Sequence, residues 1–236
     1  MQIASGLKKR FRRSKRWWRT MRGEEPRFRA ASGGEKIALG NERAEWRVCP
    51  RGLSAESVAY SFGVGQDVSF DLELIRRFGM RVHAFDPTPR AIAWVKSQRL
   101  PERFVFHDFG VAEYDGTAAF HAPENGAHVS YSVLPRKTGA AETVEAPVHR
   151  LRTIQEMLGH ARIDLVKMDI EGAEYGVVRD ALSSGIEIEQ LLVEFHHRWP
   201  EVGPQRTKDA VEDLLRAGYE IFDISASGEE YGFRKT

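Results

Sequence analysis

Residues 57–67, SVAYSFGVGQD, constrain this chain more than any other stretch. An apolar, β-rich run ends in Gly63-x-Gly65 and an amphipathic run follows at once, so a strand, a tight turn and a helix are expected within a few residues. Glycines let backbone approach a ligand closely, and the next helix offers free N–H groups and a positive dipole end. Such a turn is a cofactor cradle.

Strand and helix patterns then alternate. Strands are expected at 58–62, 81–85, 104–107, 165–168 and 190–195, and helices at 68–78, 89–97, 153–158 (capped by Thr153), 173–182 and 207–217. Extra strands are expected at 118–121 and 144–148, terminal strands at 220–224 and 231–234, and a short strand pair within 37–49 with Trp46 as a packing residue. This order predicts a doubly wound, Rossmann-like α/β sheet, mostly parallel with an antiparallel C-terminal strand, its ligand crevice at the carboxyl ends of the strands. Residues 35–236 are expected to form that domain, and residues 1–34 a basic helical extension with a Gly/Glu/Pro/Ser linker.

The extension is charged unlike the rest. Residues 1–22 hold nine Lys and Arg and no acid, leaving 26 bases against 34 acids in the remainder. Leu7, Phe11, Ser14, Trp18 and Met21 form one helical stripe among those cations. Three roles compete: a solvated segment whose stripe packs on the domain, an interfacial helix on anionic lipid, and a nucleic-acid contact supported by charge alone. No run reaches the roughly 20 apolar residues of a membrane span, and no apolar signal core follows the basic N-terminus, so a cytoplasmic protein, peripheral at a membrane in the second case, is expected. The single cysteine, Cys49, excludes an intrachain disulfide and a cysteine-based zinc site.

Residues just past each strand should carry the chemistry. These are Phe62, Gly63, Gly65 and Asp67 after the first strand, Asp86 and Thr88 after the second, and Asp108 and Phe109 after the third. Asp86 lies 21 positions beyond Gly65, where this sheet type places an acid that binds both hydroxyls of a ribose. Asp108 and Phe109 would meet an adenine amino group and ring. Val68 stands where a dinucleotide fingerprint needs a third glycine, and Asp67 at the helix start repels phosphate while suiting an ammonium group. Together they favour S-adenosylmethionine over NAD.

Four segments carry a family resemblance: VAYSFGVGQD at 58–67, VHAFDPT at 82–88, FHDFGVA at 106–112 and, most specifically, DLVKMDIEGAE at 164–174. Over roughly residues 45–200 the chain resembles the FkbM-type methyltransferases of the class I S-adenosylmethionine-dependent group. The resemblance implies methyl transfer to an oxygen of a sugar, polyketide or other secondary-metabolite hydroxyl. Many members have an acid before the first glycine where Ser61-Phe62 stands here, which shifts the expected methionine contacts onto Asp67 and the backbone.

At the fourth and fifth strand ends, Asp169, Glu171, Glu194 and His196 are the reactive candidates. Strand alternation sets Glu194 and His196 on one face and turns His197 away. His196 ranks first as the base that removes the acceptor proton, being partly neutral near its ordinary pKa of about 6.5, and Asp169 second. Asp169 also counts among the cofactor residues. Asp169, Glu171, Glu194 and His196 could instead hold Mg²⁺ or Mn²⁺, a reading not favoured over a metal-free site. Glu174 reads as a helix-start acid complementing the dipole. His128, Ser130, Tyr131 and Ser132 would cover the acceptor. A nucleotide-dependent oxidoreductase and a non-catalytic cofactor-binding module are the rivals.

Overall fold

The structure is a computed structural model that describes residues 2–42, 44–121 and 143–236, with side chains from residue 11 onward. The expected cover residues at 128–132 therefore lie outside the described residues.

An N-terminal helix, α1 (Gln2–Met21), and a small antiparallel pair, β1 (Ile37–Leu39) and β2 (Trp46–Val48), precede the main sheet. The chain then runs β3 (Val58–Phe62), α2 (Ser69–Phe78), β4 (Arg81–Phe85), α3 (Pro89–Ser97) and β5 (Phe104–His107). Next come β6 (Gly110–Val111), β7 (Gly116–His121), β8 (Thr143–His149), α4 (Leu151–Leu158), β9 (Ile163–Met168) and α5 (Glu174–Ser183). The last elements are β10 (Ile188–Glu194), α6 (Gly203–Arg216), β11 (Tyr219–Ile224) and β12 (Glu230–Lys235).

Seven strands form the main sheet in the order β11-β12-β10-β9-β3-β4-β5. All ladders from β10 to β5 are parallel, and β12 inserts antiparallel between β10 and β11. The strand order reverses between β3 and β9, the topological switch point where an open α/β sheet binds ligand. The expected doubly wound architecture and its antiparallel C-terminal strand are both present. The extra strands β6, β7 and β8 form a separate small sheet instead of extending the main one.

Local chemistry explains the elements. β9 is buried at all six positions because helices cover both faces of a central parallel strand. In α2, Phe70, Asp71 and Leu74 are buried at helical spacing, and Gly79 ends the helix in the left-handed region, φ 69°. Pro89 occupies the first turn of α3, where its missing N–H costs nothing. Thr153 does not cap α4: the helix begins at Leu151 after Arg150, and the Thr153 hydroxyl donates to Asp115 Oδ2 at 2.9 Å. The core lies on both faces of the sheet, with Tyr60, Phe62, Phe85, Val166 and Phe195 in one cluster and Leu74, Val82, Leu165 and Leu192 in the other.

Candidate functional site

The site grows from the crossing of two loops, one after β3 and one after β9. Gly63 follows β3 with φ 80°, and a Cβ there would run into the Asp169 carbonyl oxygen. Only glycine lets the two loops pass this closely. The Asp169 amide donates to Phe62 O at 3.2 Å, and the Gly63 amide to Phe85 O at 3.1 Å. Lys167, buried in the otherwise apolar β9, stitches the same crossing by donating from Nζ to Phe62 O at 3.1 Å and Gly63 O at 2.8 Å.

The two acids of the cradle have defined partners. Asp86 is buried; its Oδ2 accepts from the Gly65 amide at 2.9 Å, and its Oδ1 from the Thr88 amide at 2.9 Å and the Thr88 hydroxyl at 2.6 Å. Burial raises its pKa against these hydrogen bonds. Asp67 accepts from the Ser69 amide at 2.8 Å, just ahead of α2, and from Asn41 Nδ2. Burial pulls the Asp67 pKa upward, but hydrogen bonds from Ser69 and Asn41 and the charge of Lys167 outweigh it and hold the carboxyl below its ordinary range.

A cleft with about 880 Å³ of empty space, the open solvent at its mouth included, lies over this crossing. Its described lining includes Phe62, Gly63, Gly65, Asp67, Asp86, Thr88, Asp169 and Glu171, with Gly110, Val111 and Phe120 from the small-sheet side. Four carboxylates and no lysine, arginine or histidine belong to that lining. A smaller cavity, about 450 Å³ with open solvent included, adjoins it through Gly63, Val64, Asp67 and Asp169, and is walled by Trp46, Lys167, Glu194 and Glu230.

Asp108 and Phe109 are not brought into either lining. Asp108 is exposed, and Phe109 packs among rings, with centroids 5.4 Å from Phe85, 5.5 Å from His107 and 5.1 Å from His149. The wall they were expected to supply is formed by Gly110 and Val111, one strand residue further on.

His196 lies just past β10, 8% exposed, beside the Glu194 that ends the strand. Glu174, fully buried in the first turn of α5, accepts from the Gly172 amide at 2.8 Å and takes both the His196 amide at 3.0 Å and Nδ1 at 3.1 Å on one oxygen. Nε2 then faces Glu171 at 3.6 Å and Asp169 at 3.9 Å. Burial alone would lower the His196 pKa, but the hydrogen bond and charge of Glu174 and the charges of Glu171 and Asp169 push it up to about 10. In this arrangement the ring is charged at neutral pH, not partly neutral as expected from its ordinary value. Burial first, and then the charges of Asp169 and Glu230, push the Glu194 carboxyl well above its ordinary range.

His197 turns the other way, as alternation implied: its Nε2 pairs with Glu25 at 3.0 Å. Sequence reasoning missed Glu174, whose role depends on a partner 22 residues away, and Lys167, whose one signal was a cation inside an apolar strand. Among the described residues, one group has metal-ligating atoms all within 4.8 Å of one another: Asp169, Glu171 and His196. Glu194, added to that set from the sequence, is not in it.

This strand order, with an acid-lined crevice over a Gly-x-Gly turn, defines a methyltransferase-type α/β domain. A model of the methyltransferase FkbM domain matches residues 57–234, and the chain belongs to the FkbM methyltransferase family. It is 28% identical over 143 residues to the probable methyltransferase-like protein 24 of Rattus norvegicus, which covers 60% of this chain and 33% of that protein. The human protein of the same name is 27% identical over 144 residues, again 60% and 33%. The chain thus matches about a third of the length of these relatives. Among solved structures, a fibrillarin pre-rRNA processing protein of Methanococcus jannaschii has a TM-score of 0.44 at 10% identity, covering 86% of this chain and 89% of that one. Aeropyrum pernix fibrillarin, solved with natively bound S-adenosyl-L-methionine, has a TM-score of 0.41 at 10% identity, covering 89% and 85%.

Proposed function

We propose that this protein transfers a methyl group from S-adenosylmethionine to a hydroxyl of a small molecule or glycan. The carrying observation is the main cavity's described lining, four carboxylates without a basic side chain. A dinucleotide would bring two phosphate charges against those acids, whereas S-adenosylmethionine brings an ammonium and a sulfonium and no phosphate.

The chain's groups fit this donor. A carboxylate offers about four acceptor positions, and Asp86 uses three on Gly65 and Thr88, which leaves one for a ribose hydroxyl and the Thr88 hydroxyl free to exchange for a second. Asp67, held ionised, supplies the counter-charge for an ammonium group. When bound, the donor supplies an electrophilic methyl: its carbon–sulfur bond breaks as the carbon–oxygen bond forms, and the acceptor hydroxyl loses its proton.

Asp169 is the group for that proton, because it lines both cavities and so stands between donor and acceptor. The charged His196 ring holds and polarises Asp169 and Glu171 instead of acting as the base. Glu194 lines the smaller cavity as a hydrogen-bonding partner for an acceptor hydroxyl, Trp46 offers a flat apolar wall to a sugar-like ring, and positioning accounts for most of the rate in such an in-line transfer. The test is transfer from methyl-labelled S-adenosylmethionine to a panel of polyhydroxylated and amine acceptors. Label on oxygen, lost in Asp169→Asn, supports the reading; label on nitrogen, or turnover unchanged in Asp169→Asn, overturns it.

A further inference from the structure

The convergence of Asp169, Glu171 and His196 goes further than proton handling. Three observations bear on it independently of the methyl donor. First, His196 is a buried imidazole whose Nδ1 is committed to the fully buried Glu174, so its Nε2 is aimed at the two other side chains, at distances too long for hydrogen bonds. A carboxylate holding the far nitrogen of a histidine is the arrangement that orients histidine metal ligands. Second, Glu171 is the one described non-glycine residue with positive φ, 53°, a conformation that costs energy and is kept where it aims a side chain. Third, Asp169, Glu171 and Glu174 surround one imidazole at 3.1 to 3.9 Å, while Lys167 directs its ammonium to backbone carbonyls. Carboxylates in such excess, half-buried or buried, are stabilised by pairing or by a cation.

We propose that Asp169, Glu171 and His196 form a divalent-cation site of Mg²⁺ or Mn²⁺ type, in which the ion takes the place of the proton on His196 Nε2, with Glu174 as the residue that positions His196. Two hard oxygens and one imidazole nitrogen suit these ions, and three protein donors leave further octahedral positions open. Those positions adjoin both cavities, since Asp169 lines each. Two neighbouring hydroxyls of one acceptor would fill them, which narrows the acceptor class to vicinal diols. This last step rests on the methyl-transfer reading; the cation site does not.

The test is calorimetric titration of the EDTA-treated full chain with MnCl₂, run beside a titration with S-adenosylmethionine. One saturable Mn²⁺ site is expected, weakened at least about tenfold in Glu171→Gln and about 10- to 100-fold in Glu174→Gln, with Asp86→Asn leaving Mn²⁺ affinity intact while weakening the donor. Circular dichroism checks that each variant is folded, and Glu171→Gln, at a half-buried position, serves if Glu174→Gln is not. No saturable uptake at about 1 mM Mn²⁺, or equal uptake in Glu171→Gln, overturns the site. Donor binding without Mn²⁺ uptake would overturn the cation site and leave methyl transfer standing; the converse would do the opposite.

A separate observation concerns α1, which is mounted inside out. Its polar side faces the body: Arg16 Nη1 donates to Ser225 O at 3.3 Å, Arg19 lies 3.9 Å from Glu25, and Thr20 is half-buried. Phe11, Trp17, Trp18 and Met21 lie 56% to 61% exposed, on the opposite side by the helical period of 100° per residue. With nine cations and no acid in residues 1–22, that apolar face is complementary to an anionic surface. The geometry points to docking of α1 on anionic lipid, apolar rings in the headgroup region and basic side chains flanking them.

Co-sedimentation with phosphatidylcholine vesicles, neutral or about one-third phosphatidylglycerol, tests this. Binding to the anionic vesicles alone is expected, falling about tenfold or more in the Trp17→Ala/Trp18→Ala double variant, whose exposed rings are not needed for folding. Equal binding by the double variant, no binding to anionic vesicles, or binding to duplex DNA without binding to vesicles overturns it.

Discussion

A single oxygen of Glu174 accepts both the backbone amide and the Nδ1 of His196, at 3.0 and 3.1 Å. This joins the start of α5 to the segment just past β10, behind Asp169 and Glu171. Because the pair raises the His196 pKa from 6.5 to about 10, its contribution to stability is complete below about 6.5 and is lost as pH rises through about 10. Glu174→Gln, measured in EDTA, should bring the His196 imidazole pKa down toward its ordinary value and cost about 1–3 kcal/mol. NMR titration of the ring checks this; an unchanged pKa would show that Glu174 does not hold the charge.

Gly63 and Gly52 both have positive φ, 80° and 86°, but only Gly63 has no room for a side chain. Gly52→Ala should cost about 1–2 kcal/mol, the strain of a left-handed alanine. Gly63→Ala carries that strain plus a collision with the Asp169 carbonyl, so it should unfold at clearly lower temperature and bind S-adenosylmethionine more weakly. Equal melting temperatures for the two variants would contradict the crossing as described.

Lys167→Met leaves two carbonyls of the cradle without their shared donor. A loss of about 1–3 kcal/mol is expected, chiefly from the Gly63 carbonyl because Phe62 O keeps the Asp169 amide, with weaker donor binding, because the Gly63 turn loses a strut. Thermal unfolding and donor titration on the same sample separate the two effects.

Much of this was legible in the sequence. The bounds of β3, β4, α3 and β5 could be read to the residue because each ends at a glycine, a proline or an abrupt polarity change. Asp86 lies in the cavity lining, as does Asp67, both just past strand ends where the sequence places the crevice. Glu174 was not legible, because a first-turn acid has a local explanation that hides a partner 22 residues on. Asp108 and Phe109 were placed one step early: the short β6 moves the cavity wall to Gly110 and Val111. Periodicity showed the α1 stripe but not which way it faces; that depends on Arg16 and Arg19 meeting Ser225 and Glu25.

Glu25 accepts from His197 and Arg198 with its side chain fully buried. Burial acts to raise its pKa, and those two partners overcome it and hold the carboxyl below 4.5. Its stabilisation is therefore present above about 4.5 and is lost as pH falls through the lower folded value. Glu25→Gln should be less stable near neutrality yet lose less on acidification; melting curves from pH 7 to about 3 should converge. Parallel curves would rule out Glu25 as the acid-sensitive tie.

We propose that the acid-lined cradle selects a cationic, phosphate-free donor. Calorimetric titration of the full chain with S-adenosylmethionine and with NAD tests it most directly. Saturable binding of S-adenosylmethionine, weakened in Asp67→Asn and Asp86→Asn, with no heat from NAD, is the expected result. Binding of NAD with none of S-adenosylmethionine would contradict it.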